Sequence, residues 1–277
     1  MKSFNIKRFW RTFRWYMSKR RGVLTTWTLG LTIIIMLWEA FFSLTFYKAN
    51  AAADPILSSN LPGICFAQGM FLALIAGLIA FTTIFKPLNN KQKRIAYLTL
   101  PATNQERYLT CLLHTVVVWP ICIILALCLG DTLRMVLFGL LGKGWHSGLM
   151  FTLNAFWSKI PTSTPSHWPA NLLGFSLTFW GISIYILAGS WFRKRAFAIV
   201  TLALLFLNVT LLYTIGRGLG NNHELFFELI KNFTPTMAKV LVSVLSAIIF
   251  GVALFNFWLS YRIFKRFQII TSNWINV

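Results

Sequence analysis

Residues 196–214 read AFAIVTLALLFLNVTLLYT, a run of 19 residues without a charged side chain. At 1.5 Å per helical residue this run is about 28 Å long, close to the thickness of the hydrocarbon core of a bilayer. It predicts a membrane-spanning helix. The preceding residues, Phe192-Arg193-Lys194-Arg195, place three adjacent cations at its start. Because such charges are costly in hydrocarbon, we expect a tight hairpin at the membrane surface.

The composition of the whole chain indicates the same class of protein. Of its 277 residues, 57% are hydrophobic and only 12% are charged, whereas soluble domains are about 25% charged. Six apolar runs have roughly the length of a bilayer, at about 22–46, 62–85, 110–130, 170–191, 196–214 and 236–261. We therefore predict an all-α polytopic membrane protein with six transmembrane helices, in which residues 22–277 form the transmembrane domain.

The distribution of cations predicts the orientation of the chain. With both termini cytoplasmic, the inner segments 1–21, 86–109, 192–195 and 262–277 hold 19 of the 26 lysines and arginines. The positive-inside rule favours this arrangement. It also accounts for the net charge of +20 through topology and anionic lipid headgroups rather than through nucleic acid. We expect a multi-pass protein of the bacterial cytoplasmic (inner) membrane.

The N-terminal segment 1–21 has the pattern of an amphipathic helix. The spacing of Phe9, Trp10, Phe13 and Tyr16 places these aromatic side chains on one helical face, with cations mostly elsewhere. Such a helix lies in the membrane interface. We predict an elbow helix on the cytoplasmic leaflet, with a plain basic flank of the first span as the alternative.

The inner loop 86–109 contains signals for the start of a helix. Pro101 suits the beginning of a helix but not its interior. Thr103 and Glu106 have the spacing of a capping box. A helix should therefore begin near Thr103 and continue into the third span, preceded by a short apolar stretch that includes Leu98 and Leu100. That stretch requires a cover of lipid, of the protein's own helices or of a cytoplasmic partner.

These residues carry a resemblance to a known family. The stretch from Leu98 to Leu109, LTLPATNQERYL, resembles the signature L-x-L-P-(A/V)-(S/T)-x-x-E-(K/R) between the second and third spans of type-2 ABC exporter permeases. The order of elements is also similar: a basic amphipathic helix, two spans, this loop and four more spans. About twelve residues carry the motif. Thr103 replaces the commoner serine and Arg107 a common lysine, whereas the long outer loop 131–169 departs from a minimal permease.

The resemblance implies a function for the chain. It would be the permease subunit of an ABC exporter, with Leu100, Pro101, Thr103, Glu106 and Arg107 contacting a separate ATP-binding subunit. A second permease copy or a paralogue would complete the path, and ATP and Mg would bind to the partner rather than to this chain. Because the spans are aromatic and largely uncharged, we expect an amphiphilic, lipid-like or peptide cargo.

Other functions are disfavoured or remain open. The sequence has no G-x-x-x-x-G-K-(S/T) loop for nucleotide binding. Its four histidines are scattered, its four cysteines lie in apolar segments without CxxC spacing, and no catalytic constellation occurs, so we expect neither an enzyme nor a metal site. The alternative to a permease is a non-transporting accessory, immunity or assembly protein of the membrane.

Two features leave alternatives open. Glu39 is an acid within a predicted span, where a lone carboxylate costs about 2.5–3.5 kcal/mol. It belongs either to a translocation path or subunit interface, or near the outer headgroups, protonated or bonded to a neighbouring side chain. The outer loop 131–169 has two short apolar pieces, 135–141 and 149–157. They form either a re-entrant or interfacial hairpin, or an ordinary loop resting on headgroups.

Overall fold

The computed structural model describes residues 4–50, 55–85, 91–142, 145–158, 168–192, 195–221 and 235–266. Within these residues the chain is all-α and no strand occurs. The helices are α1 (Ile6–Asn50), α2 (Pro55–Thr82), α3 (Lys91–Leu98), α4 (Asn104–Leu113), α5 (Trp119–Leu140), α6 (Gly148–Ser158), α7 (Trp168–Trp191), α8 (Ala196–Asn221) and α9 (Pro235–Lys265), with a π-helical turn at His114–Val118 between α4 and α5.

Among the described residues, six helical stretches are long and apolar enough to cross a membrane, which confirms the predicted class. They are Ile6–Thr45, Leu61–Thr82, Asn104–Leu140, Trp168–Trp191, Ala196–Thr214 and Thr236–Lys265. Four residues separate α7 from α8, as the basic run at 192–195 indicated, and Arg195 in this connection adopts a positive φ of 56°. A left-handed residue of this kind reverses the chain within a short distance.

Two helices are longer than the sequence suggested. Helix α1 is unbroken from Ile6 to Asn50, so the segment predicted as a separate elbow helix continues directly into the first span. Helix α5 passes through Asp131 and ends at Leu140, so the apolar piece beginning at Met135 is its last turns rather than a separate loop segment. Gly130 and Asp131 resembled a helix end in sequence because a charge in hydrocarbon is costly without a partner.

The π-helical turn between α4 and α5 has an identifiable cause. Pro120 lies at the start of α5, has no backbone N–H, and its ring clashes with the carbonyl four residues earlier. Widening the turn over His114–Val118 accommodates the proline and keeps the helix continuous. Residues from Asn104 to Leu140 therefore form one rod made of α4, the π-helical turn and α5.

The chain forms two compact units. Unit 1 comprises Met1–Ala80 and Pro101–Ser163, and unit 2 comprises Phe81–Leu100 and Thr164–Val277. In unit 1, α1 and the rod run parallel, because Arg8 pairs with Glu106 near their beginnings and Glu39 pairs with Arg134 near their ends. Parallel helices cross a bilayer in the same direction, as the first and third of consecutive spans must.

The buried face of α1 contains polar as well as apolar side chains. Its buried residues follow one another at helical spacing and are Thr12, Tyr16, Leu24, Thr32, Ile35, Glu39 and Ser43. Close to the middle of this face, a Cβ built on Gly130 would lie 2.8 Å from Ile35 Cγ2, so α1 and α5 approach closely there. Small residues at helix contacts allow such an approach in membranes.

Unit 2 is built around the contact between α7 and α9. Phe179 lies between Phe250 and Phe257, with ring centroids 5.1 and 5.2 Å away. Asn256 Nδ2 donates a hydrogen bond of 3.0 Å to Ser183 Oγ inside the same contact. Aromatic packing and an interhelical hydrogen bond are the interactions expected to hold spans together where water is absent.

Candidate functional site

The signature segment ends in a capped helix. Thr103 has extended backbone angles and stands at the N-cap of α4, where its hydroxyl accepts a hydrogen bond of 3.3 Å from Glu106 N. Glu106 Oε2 in turn accepts a hydrogen bond of 2.9 Å from Thr103 N. The capping box predicted from the sequence is therefore present, and it fixes where the third span begins.

The same carboxylate holds the beginning of α1. Arg8 donates to both Glu106 oxygens, from Nε at 2.7 Å and from Nη2 at 2.6 Å. Asn5 N donates a further hydrogen bond of 2.8 Å to Oε1. Glu106 is fully buried, and a bidentate arginine with two backbone N–H groups satisfies an ionised carboxylate well. We call Asn5, Arg8, Thr103 and Glu106 the inner clamp.

The five residues assigned to partner contact do not share one environment. Pro101 is exposed, Leu100, Thr103 and Arg107 are half-buried, and Glu106 is buried inside the inner clamp. Glu106 is therefore placed to hold α1 and α4 together rather than to touch another subunit. Next to Pro101, the side chains of Asn104 and Gln105 are exposed on the first turn of α4.

The aromatic residues of the N-terminal segment divide into two groups. Phe9 and Phe13 are half-buried and stack at 6.3 Å, and exposed Trp10 packs edge-on against both. Tyr16 is buried against His114, with ring centroids 5.0 Å apart. Tyr16 thus lies inside unit 1, which differs from the predicted membrane contact, because α4 and the π-helical turn pack on that side of α1.

A second polar group surrounds the π-helical turn. Arg20 Nη1 donates a hydrogen bond of 3.0 Å to the Tyr16 hydroxyl and lies 3.4 Å from His114 Nδ1. His114 is fully buried and its ring also packs edge-on against Trp119. This group also joins α1 to the rod. It lies further from the N-terminal ends of both helices than the inner clamp does.

Glu39 is paired with a cation from the rod. Arg134 Nε lies 3.2 Å from Glu39 Oε2 but is not aligned for a hydrogen bond. The two side chains therefore attract each other as an ion pair. Arg134 Nη2 donates to Asp131 Oδ1 at 2.7 Å and to the His146 carbonyl at 3.1 Å. All three charged side chains are buried. We call Glu39, Asp131 and Arg134 the buried charge cluster.

The sequence analysis left open that Glu39 bonds to a neighbouring side chain, and the structure shows this pair; it named neither Arg134 nor Arg8 as a partner, although signals for both ionic groups were present. Glu106 is the single acid among the predicted inner segments, so its pairing with one of their cations was to be expected. Asp131 and Arg134 stand three residues apart, the spacing of neighbours on a helix. Their helical register continues from the third span, which indicated that α5 extends beyond Gly130.

No candidate metal centre emerges from the described part of the chain. Among those residues, no group of three or more His, Cys, Asp or Glu side chains is arranged to hold a metal ion. The four cysteines, Cys65, Cys111, Cys122 and Cys128, are free thiols. Cys65 accepts a hydrogen bond of 3.1 Å from the Ser43 hydroxyl between α1 and α2, which gives it a packing role.

Comparison with protein-family models, with curated proteins and with solved structures finds no match to this chain. The family resemblance therefore rests on the signature segment and on the order of elements.

Proposed function

We propose that this protein is the permease subunit of an ABC exporter, driven through the inner loop 86–109 by a separate ATP-binding subunit. The observation that carries the proposal is the arrangement of the signature segment. Pro101 is exposed next to a capped helix start, and Glu106 of the same segment clamps the beginning of α1. A partner that pushes on this segment would act on the first and third spans together.

The place of the signature segment along the chain supports the same role. The division between the units falls between Leu100 and Pro101. A displacement applied at this point would act on both units through the chain itself. In the proposed mechanism, ATP-driven closure of the partner subunits moves the loop and tilts the spans, which exposes the path alternately to the two sides of the membrane.

The proposal includes the assembly and the orientation. Two permease chains, either two copies or this chain and a paralogue, enclose the path, and two ATP-binding subunits contact them from the cytoplasm. Both termini are cytoplasmic, in accord with the positive-inside rule, in a bacterial cytoplasmic membrane. The cargo is amphiphilic, lipid-like or peptidic, since the spans offer largely apolar surface to it.

Variants of the exposed surface test this function without disturbing the inner clamp. Pro101→Ala combined with Gln105→Ala changes exposed side chains and leaves Glu106, Thr103 and Arg8 in place. We expect normal amounts of protein in the membrane, but several-fold lower ATPase stimulation in the co-purified ATP-binding subunit and weaker co-purification. Lys91→Gln with Lys93→Gln serves as the control and should have a smaller effect, because scattered cations contribute little individually.

Two results would contradict the permease assignment. One is unchanged ATPase stimulation and co-purification in the Pro101 and Gln105 variant. The other is the failure of any ATP-binding subunit to co-purify with the wild-type chain from its native membrane. Either result would favour a non-transporting accessory, immunity or assembly protein.

A further inference from the structure

After α5 the chain folds back along that helix. Gly142, just after α5, has a positive φ of 71° and allows a sharp turn. The residues that follow contact α5 at positions successively closer to its N-terminus. A Cβ built on Gly139 would lie 2.4 Å from the Trp145 ring. The next residue, His146, accepts a hydrogen bond from Arg134 through its carbonyl. The start of α6 has thus returned to the level of Asp131, nine residues or about two and a half helical turns before the end of α5 at Leu140.

Asp131 caps the returning helix. Its carboxylate accepts hydrogen bonds from Gly148 N and Leu149 N, each at 3.1 Å, and from the Ser147 hydroxyl at 2.7 Å. Ser147 Oγ also accepts one from Met150 N at 3.2 Å. The N-terminal N–H groups of α6, which a helix leaves without intrahelical partners, are therefore satisfied inside the protein.

Helix α6 also rests closely on α2. A Cβ built on Gly148 would lie 2.5 Å from both Pro62 O and Phe66 Cβ. A Cβ built on Gly63 would lie 2.6 Å from the ring of Phe151. Only glycine permits either approach, so these two positions seat α6 against α2 within unit 1.

The parallel contact between α1 and the rod allows the depth of α6 in the membrane to be derived. Arg21 is the last residue of the basic N-terminal run, and Glu39 follows it by 18 residues, which is about 27 Å along a helix. The hydrocarbon core is about 30 Å thick. When the hydrocarbon core begins at Arg21, the buried charge cluster lies within that core, in the leaflet opposite the basic N-terminus. The start of α6 lies beside the cluster at the same depth.

The exposed surface of the returning segment is largely apolar, with His146 and Asn154 as its exposed polar side chains. Met150 is 59% and Trp157 is 69% exposed. Leu153 on the same helix is also exposed. The Asp131 carboxylate and the first backbone N–H groups of α6 are hydrogen-bonded inside the protein, while large apolar side chains face outward, which is the arrangement expected of a segment surrounded by lipid.

We propose that residues 145–158 form a re-entrant segment, which enters the leaflet far from the basic N-terminus and is covered by acyl chains. The buried charge cluster anchors it, with Asp131 as the helix cap and Arg134 as the cation between Asp131 and Glu39. Helix α6 has 11 residues, too few to cross a bilayer. The segment therefore enters and leaves on one side. This proposal does not depend on the proposed transport function.

Cysteine labelling of the full chain in native membranes tests the re-entrant segment. In a variant whose four native cysteines are replaced by alanine, single cysteines are placed at Met150, Leu153 and Thr45, all of which are exposed in the structure. Thr45 follows Arg21 by 24 residues, about 36 Å, and should reach water. We expect a membrane-impermeant maleimide to label Thr45→Cys readily, and Met150→Cys and Leu153→Cys at least tenfold more slowly until the membrane is dissolved in SDS.

The anchoring role of the cluster is tested with the same label. Asp131→Ala should increase the labelling of Met150→Cys several-fold, whereas Asp131→Asn, which keeps the acceptor oxygen, should increase it less. Thr132→Ala is the matched control, since its exposed hydroxyl bonds only to its own helix, and should leave Met150→Cys protected. Equal labelling of Met150→Cys, Leu153→Cys and Thr45→Cys would overturn the proposal, even if the Asp131→Ala protein failed to fold. Unchanged protection in a folded Asp131→Ala protein would overturn the anchoring role.

Discussion

At the residue scale, two acids decide how α1 meets the rod. Glu106 and Glu39 are both fully buried, and each is opposed by an arginine from the other helix. Leaving such a carboxylate buried without its cation is strongly unfavourable. The two pairs therefore fix which residues of α1 and the rod lie opposite each other, one near each end of the contact.

The inner clamp gives a prediction for single residues. Arg8→Gln should lower the unfolding temperature of unit 1, because it removes two hydrogen bonds to a charged group, while the 26% exposure of Arg8 lets solvent screen part of the loss. Arg8→Lys should destabilise unit 1 somewhat less, since lysine keeps the charge but not the bidentate geometry. Thermal unfolding in a mild detergent measures both effects.

The matched control for Arg8 is Arg11→Gln, on the same helix and exposed, which should shift the unfolding temperature little. In the double variant Arg8→Gln with Glu106→Gln, the loss should be smaller than the sum of the single losses, because the two side chains act as one pair. Strictly additive losses, or equal effects of Arg8→Gln and Arg11→Gln, would contradict the inner clamp.

Sequence could identify Glu106 as important but not its partner. Its spacing to Thr103 predicts a capping box from local geometry alone, and the structure has that box. Eight cations precede residue 22. Helical periodicity shows on which face of the helix each cation lies, but it does not show which of them pairs with Glu106. Choosing Arg8 requires knowing that α1 and the rod run parallel, which is a property of tertiary packing.

At the element scale, the beginnings of the spans were easier to predict than their ends. Basic residues, Pro101 and the capping box mark helix starts by local chemistry. In the last turns of α5, Asp131 and Arg134 are instead paired with each other and with Glu39 and α6, which come from elsewhere in the chain. The same applies to α1, whose N-terminal turns pack on α4 and so continue without a break into the span.

Helix α7 offers a test of packing with an internal control. A Cβ built on Gly189 would lie 2.4 Å from the Thr82 carbonyl oxygen, whereas one built on Gly181 would meet nothing within 4 Å. Gly189→Ala should therefore destabilise unit 2 by about 1–3 kcal/mol, the usual range for overpacking. Gly181→Ala should be neutral or slightly stabilising, since alanine is the better helix former.

Thermal unfolding of the two glycine variants in the same detergent measures the difference. The comparison separates close approach from helix propensity, because both variants make the same chemical change on one helix. Similar unfolding temperatures for the two proteins would show that α7 and the end of α2 do not approach as closely as described.

At the scale of the whole molecule, the number of spans followed from composition and the contacts did not. Six apolar runs of bilayer length are visible because hydrocarbon excludes charge along a continuous stretch, and the part of the chain that the structure describes contains six such helices. The division into two units is not visible in the sequence. Within unit 1, α1 and the rod are joined by ion pairs between residues 98 and 95 positions apart, which no local pattern records.

The distance along the chain between Glu39 and Arg134 has a consequence for biogenesis. Glu39 leaves the ribosome 95 residues before the arginine that neutralises it, so the first span meets the translocon with an unpaired carboxylate. That carboxylate costs about 2.5–3.5 kcal/mol in hydrocarbon. We expect stable integration of the first span to wait until the third has been synthesised.

Truncated chains translated in the presence of membranes measure this order. Chains ending at residue 125 should show less complete integration of the first span, by alkaline extraction and protease protection, than chains ending at residue 165, which include Arg134. Glu39→Leu should remove the difference between the two lengths. Equal integration of both lengths in the wild-type sequence would mean that the first span inserts without help from its later partner.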